Sequence, residues 1–217
     1  MLELSLGPLR RILAIGAHSD DVEIGCGGTM LRLAREHPEA AITWVCLCGS
    51  GTRGDEARAS AEAFLPGRVN CIATEFRDGF LPQQATEVKE VFEGLKAERP
   101  DLILTHQPDD LHQDHRLCAE LALQTFRDHL ILGYEIPKYD GDLGRPAVYV
   151  PLDPADARGK VDHLMAHFGS QRSKKWFSED LFLGLMRLRG MEAAVEGHAE
   201  AFYVRKAVIG GGAPAAA

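Results

Sequence analysis

Short apolar runs of strand length alternate along this chain with longer segments whose apolar residues recur every three or four positions. The runs at 11–17, 41–48, 69–74, 101–105 and 130–135, with a later one at 147–151, predict strands. Between them, 28–36, 55–65, 86–98 and 114–127 predict helices; Leu117 and Leu121 recur at helical spacing in the fourth, and Pro100 stops the third. This alternation predicts an α/β fold: a doubly wound, mostly parallel sheet in the order 3-2-1-4-5, flanked by helices. Past residue 150 the pattern changes. Residues 153–168 open as a helix near Pro154, 178–189 carry Leu181, Leu185 and Leu188 on one stripe, and 201–208 read as an edge strand. No repeat or linker divides the chain, so one domain with extra C-terminal helices is expected over 1–209. The Gly, Ala and Pro of 210–217 predict a disordered tail.

With 217 residues, 45% hydrophobic and 26% charged, the chain can bury an ordinary core. A net charge of −8 with scattered basic residues argues against an electrostatic grip on nucleic acid. No segment has the length of a transmembrane span. Residues 1–9 lack a basic start and are broken by Glu3 and Gly7, so no secretory signal and a cytoplasmic location are expected. The five cysteines contain no C-x-x-C pair and read as reduced, mostly apolar filler, with Cys46 and Cys48 on one face of a strand. Only Cys26, in the glycine-rich turn after the first strand, is placed near the chemistry.

That chemistry begins at Ala17-His18-Ser19-Asp20-Asp21-Val22-Glu23, between the first strand and Gly25-Cys26-Gly27-Gly28. A histidine and paired carboxylates at a strand mouth are costly to desolvate unless a cation sits among them. A second cluster, His112-Gln113-Asp114-His115, follows the fourth strand. The order 3-2-1-4-5 makes the first and fourth strands neighbours, with their carboxyl ends lining the ligand crevice. Both clusters therefore open onto one site. A dinucleotide reading is disfavoured: the glycines lack G-x-G-x-x-G spacing, and Asp20, Asp21 and Glu23 would repel a pyrophosphate. The glycines instead read as a sharp turn that packs the helix on the sheet.

Catalytic zinc takes three protein ligands and keeps one position for water, and His18, Asp21 and His115 form such a set. Of the adjacent Asp20 and Asp21, one can ligate while the other acts as a general base. His112 is then free to donate to an oxyanion or a leaving amine, with Asp114 favouring its imidazolium form. Hydrolysis of an amide fits these groups. His106 reads as a satisfied strand-end histidine ahead of a supporting group. Asp110 is expected to contact substrate or to steady a ligating histidine.

The first heptapeptide resembles the AHPDDxE motif of the LmbE-like, or PIG-L, zinc de-N-acetylases, and His112-Gln113-Asp114-His115 resembles their HPDH motif. The resemblance implies a Rossmann-like fold and one zinc ion per chain, held by His18, Asp21 and His115. It makes Asp20 the general base, His112 the oxyanion stabiliser or acid, and Asp114 the group that orients His112. It implies removal of acetyl from N-acetylglucosamine units, so the partner is a small N-acetylated sugar or glycoconjugate, with a homo-oligomer possible. More loosely, 49–63 resembles the family's glycine- and arginine-bearing loop, where Arg58, ahead of Arg53, would meet substrate. Residues 76–81 resemble a D-G-x-L turn beside the site. Ser19 and Gln113 stand where the family has proline, relaxing each turn without removing a ligand. Two other readings stay open: an amidase acting on another N-acyl or thiol-conjugate amide, and a carbohydrate-binding or regulatory protein.

Overall fold

Seven strands form one sheet in the computed structural model of the chain, which describes residues 3–208. The strands are β1 (Arg11–Gly16), β2 (Ala41–Cys46), β3 (Val69–Ala73), β4 (Leu102–His106), β5 (Leu130–Tyr134), β6 (Val148–Leu152) and β7 (His198–Tyr203). Six helices connect them: α1 (Asp21–Glu36), α2 (Gly51–Phe64), α3 (Ala85–Leu95), α4 (Gln113–Thr125), α5 (Pro154–His167) and α6 (Glu179–Glu192). The tail at 210–217 lies outside the described residues.

Strand order is β3-β2-β1-β4-β5-β7-β6, parallel from β3 to β5. Period-two alternation divides the core into two layers. Ile12 and Ala14 of β1 pack with α1, α2, α5 and α6, while Leu13 and Ile15 pack with α3 and α4. One expectation is corrected: the last strand is not at the edge. β7 lies antiparallel between β5 and β6, with Ala199, Ala201 and Phe202 buried. β6 takes the edge, where Pro151, lacking an N–H, is tolerated.

Helix α1 starts at Asp21, well before the expected 28, and runs through the glycines with a kink at Cys26 (φ −146°, ψ 20°). The glycines serve close approach: a Cβ on Gly25 would fall on the Tyr134 ring, and one on Gly28 would meet Leu152. Groups freed by the kink are satisfied from the C-terminal third. Glu200 accepts from the Gly28 and Thr29 amides at 2.9 and 2.6 Å, and Lys160 Nζ donates to the Ile24 carbonyl and Glu200 at 2.6 and 2.7 Å. The first turn of α1 is thereby fixed against the sheet, beside the end of β1.

Candidate active site

β1 and β4 are parallel neighbours, with Ile12 opposite Leu102 and Ala14 opposite Leu104, so the loops that follow them emerge side by side. The first loop carries His18 and Asp20 and delivers Asp21 as the first residue of α1. The second carries Asp110 and His112, then Asp114 and His115 in the first turn of α4. Carboxylates in these first turns also face the positive helix ends.

His18 Nδ1 lies 3.1 Å from His115 Nε2 and 3.3 Å from Asp21 Oδ2, and Asp21 Oδ1 lies 3.6 Å from His115 Nε2. Donor atoms around one tetrahedral zinc ion, each about 2.0–2.1 Å from it, stand roughly 3.3–3.4 Å apart. The donor spacing and chemistry therefore fit a single cation. All three residues are buried. His106, for which a supporting role was the less favoured expectation, joins them: its Nε2 is 3.1 Å from Asp21 Oδ2, and its ring stacks on His115 at 3.9 Å. Its position at the carboxyl end of β4 was the available signal.

Asp110 is a buried partner of His115, the second of the two roles expected of it. Its Oδ2 is 3.0 Å from His115 Nδ1, which aims Nε2 at the cluster. Burial works against the Asp110 charge, but His115, His106 and Lys138, whose Nζ is 3.0 Å away, hold its pKa below the ordinary range. Burial and the neighbouring His106 lower the His115 pKa to about 4, keeping the ring neutral. Asp21 is held low against burial by His115, His106 and His18. Its neighbour behaves oppositely. Burial and the Asp21 charge push Asp20 up to about 6, and Asp20 Oδ2 has no hydrogen-bond partner.

Asp114 does not hold His112 with its carboxylate. That group accepts from the Gly79 and Leu81 amides at 2.7 and 3.1 Å and sits 3.3 Å from His18 Nε2, so it ties the 76–81 turn to the site. The Asp114 backbone N–H instead donates to His112 Nδ1 at 3.3 Å. Burial and the charge of His18 lower the His112 pKa despite Asp114, which corrects the imidazolium expectation. A neutral His112 that accepts at Nδ1 carries its proton on Nε2.

Arg58 is half-exposed and pairs with Asp55 at 3.5 Å; none of its polar contacts reaches the cluster. Arg53 does, by an ion pair with Asp78, whose Oδ1 is 3.0 Å from His18 Nε2. Because α2 starts at Gly51 rather than 55, Arg53 falls in its first turn, and Arg58 lies well round the helix. Among the cysteines, Cys48, not Cys26, approaches the site. Cys48, His18 and Asp114 have ligand atoms within 4.8 Å of one another, whereas the Cys26 thiol donates to the Val22 carbonyl.

Glu23 lies behind the cluster, fully buried, and accepts from the Ser60 hydroxyl, which is 2.8 Å from His163 Nε2. Burial raises its pKa from about 4.5 to about 8. The folded chain therefore keeps a proton that the unfolded chain has already released, and metal-free stability falls as pH rises from about 4.5 to 8. The slope is at most about 1.4 kcal/mol per pH unit for one such group. Glu23→Gln is expected to flatten that dependence, read from urea midpoints of metal-free protein across the window. An unchanged slope would show Glu23 to be ionised in the fold.

A family model described as PIG-L, GlcNAc-PI de-N-acetylase, matches residues 13–126. The uncharacterized deacetylase YaiS of Escherichia coli K12 is 33% identical over 136 residues, covering 58% of this chain and 74% of that protein. The chain spans about half the length of two further curated deacetylases that it matches, 49% and 56%. The N,N'-diacetylchitobiose deacetylase of Pyrococcus horikoshii superposes with a TM-score of 0.70 at 20% identity, covering 90% of this chain and 84% of that one. GalB, the 4-carboxy-2-hydroxymuconate hydratase of Pseudomonas putida KT2440, gives 0.73 at 16% identity, covering 94% and 99%. A deacetylase and a hydratase thus share this fold, and the fold alone does not select the reaction. No helix among the described residues is long and apolar enough to cross a membrane.

Proposed function

The chain belongs to the PIG-L family of metal-dependent de-N-acetylases, and from that membership we propose that it is a zinc hydrolase of N-acetylated amino sugars. N-acetylglucosamine or a conjugate of it is the substrate class, since that unit recurs in the family's description and in the chitobiose deacetylase. One observation carries the reading: the donor atoms of His18, Asp21 and His115 converge beside an Asp20 carboxylate oxygen that has no partner of its own.

His18, Asp21 and His115 would hold the ion. Zinc bound there supplies a Lewis acid and a water whose pKa falls to about 7. Asp20 takes the proton of the attacking water; with a pKa of about 6 it is ionised at neutral pH yet basic enough to be efficient. His112 donates its Nε2–H to the acyl oxygen as negative charge gathers there. Because His112 is neutral, the proton held by Asp20 is the one returned to the departing amine. Asp110 keeps the His115 ring in place. Arg53, anchored on Asp78 with its buried Nε unpartnered, faces the sugar.

The test is release of acetate from N-acetylglucosamine, diacetylchitobiose and an N-acetyl amino acid, with N-butyrylglucosamine as a control, before and after chelation. Acetate from the sugars, lost on chelation and restored by zinc, is expected. Turnover of the butyryl sugar or the amino acid alone would favour the broader amidase. No acyl release from any of the four by zinc-loaded protein would overturn the hydrolase.

A further inference from the structure

The His18 ring is contested from both sides. Nδ1 faces Asp21 and His115, while Nε2 faces Asp114 at 3.3 Å and Asp78 at 3.0 Å. Cys48, just past the end of β2, adds a third donor, with its sulfur, a His18 nitrogen and an Asp114 oxygen within 4.8 Å of one another. Cys48 and Asp114 are fully or almost fully buried, whereas Asp78 is about half exposed and borders solvent. Cys48 has no place among the residues assigned to hydrolysis.

We propose that His18, Cys48 and Asp114 form a second cation position, taking thiophilic divalent metals such as excess zinc or cadmium, and that its occupancy inhibits the enzyme. The inference rests on the proposed hydrolytic centre for its inhibitory consequence, but not for the binding itself. A thiolate–imidazole–carboxylate set selects zinc-like ions, whereas magnesium and calcium prefer oxygen ligands alone. Binding forms metal–sulfur, metal–nitrogen and metal–oxygen bonds. The Cys48 thiol proton and the His18 Nε2 proton leave to solvent, and no electron is transferred.

Inhibition follows from what the second ion takes. It occupies the ring edge by which Asp114 and Asp78 orient His18. It also draws on the Asp114 oxygen that accepts from the Gly79 amide, and so loosens the 76–81 turn. Disturbing partners that orient metal ligands typically costs about 10- to 100-fold in activity or affinity.

Cadmium titration of the metal-free full chain, followed by equilibrium dialysis and ultraviolet absorption, tests the position directly. The parent is expected to bind two equivalents, one with a thiolate-to-cadmium charge-transfer band. Cys48→Ser is expected to bind one, to lack the band, and to retain activity in excess zinc where the parent loses roughly tenfold. Cys48→Ala serves the same measurement if the serine variant fails to fold. A single equivalent in the parent, or a band that survives in the Cys48 variants, overturns the proposal. Asp21→Asn separates the two readings. It is expected to lose the equivalent without the band and to keep the one with it; retention of both would count against the hydrolytic centre and leave the Cys48 position standing.

Discussion

Asp20→Asn is expected to lower kcat by about 10² to 10⁴ while zinc stays bound, the range contributed by a positioned general base. Asparagine keeps the shape of a side chain that is 3% exposed, so packing around the site is retained. What disappears is the proton acceptor. Because Asp20 Oδ2 has no hydrogen-bond partner, the replacement breaks no bond at that atom. The pH profile supplies a second reading. Burial and the Asp21 charge place Asp20 near 6, and activity needs the ionised form, so the parent's kcat/KM rises with pH through that limb. A cation held by His18, Asp21 and His115 favours the carboxylate and moves the limb to lower pH, so it is expected at or below about 6. Asp20→Asn removes the limb. A metal-loaded variant as active as the parent would exclude Asp20 from proton transfer.

Asp21→Asn is expected to abolish turnover by a different route, through loss of the bound metal. Asp21 brings the anionic oxygens of the His18–Asp21–His115 set, and an amide offers only a weak neutral ligand in their place. Its carboxylate also organises the loop, accepting the His18 amide at 2.6 Å with His106 Nε2 at 3.1 Å from the same oxygen. An amide forms the first of these with less strength and can turn an NH₂ group toward His106. The variant is expected to elute without metal after dialysis and to release no acetate above buffer, even with zinc added back. The two Asp substitutions thus separate by metal content: one inactive protein carries zinc and the other does not. Stoichiometric zinc and parental activity in Asp21→Asn would break the proposed ligand set.

Element types were legible in the sequence because their periods are local. Ile12, Leu13, Ala14 and Ile15 alternate between the two core layers as a strand period requires, and the parallel order β3-β2-β1-β4-β5 is one that a doubly wound strand–helix alternation adopts. That order was also enough to bring the His18 and His115 loops together. Helix starts were less legible. The glycines at 25–28 resemble a turn by composition, yet α1 passes through them with a kink at Cys26, and it is Tyr134 and Leu152, far along the chain, that leave Gly25 and Gly28 no room for a side chain.

By itself, then, the sequence determined which residue types could hold a cation and that two distant loops carry them, since each cluster follows a strand that local periodicity marks. Only the tertiary structure decided their partners. It joined Asp114 to His18 rather than to His112, brought Arg53 rather than Arg58 to the site, set Cys48 beside His18, and put β7 inside the sheet. These choices depend on where a helix begins, which turns its side chains by about 100° per residue, and on contacts between segments far apart in the chain. No local pattern carries that information.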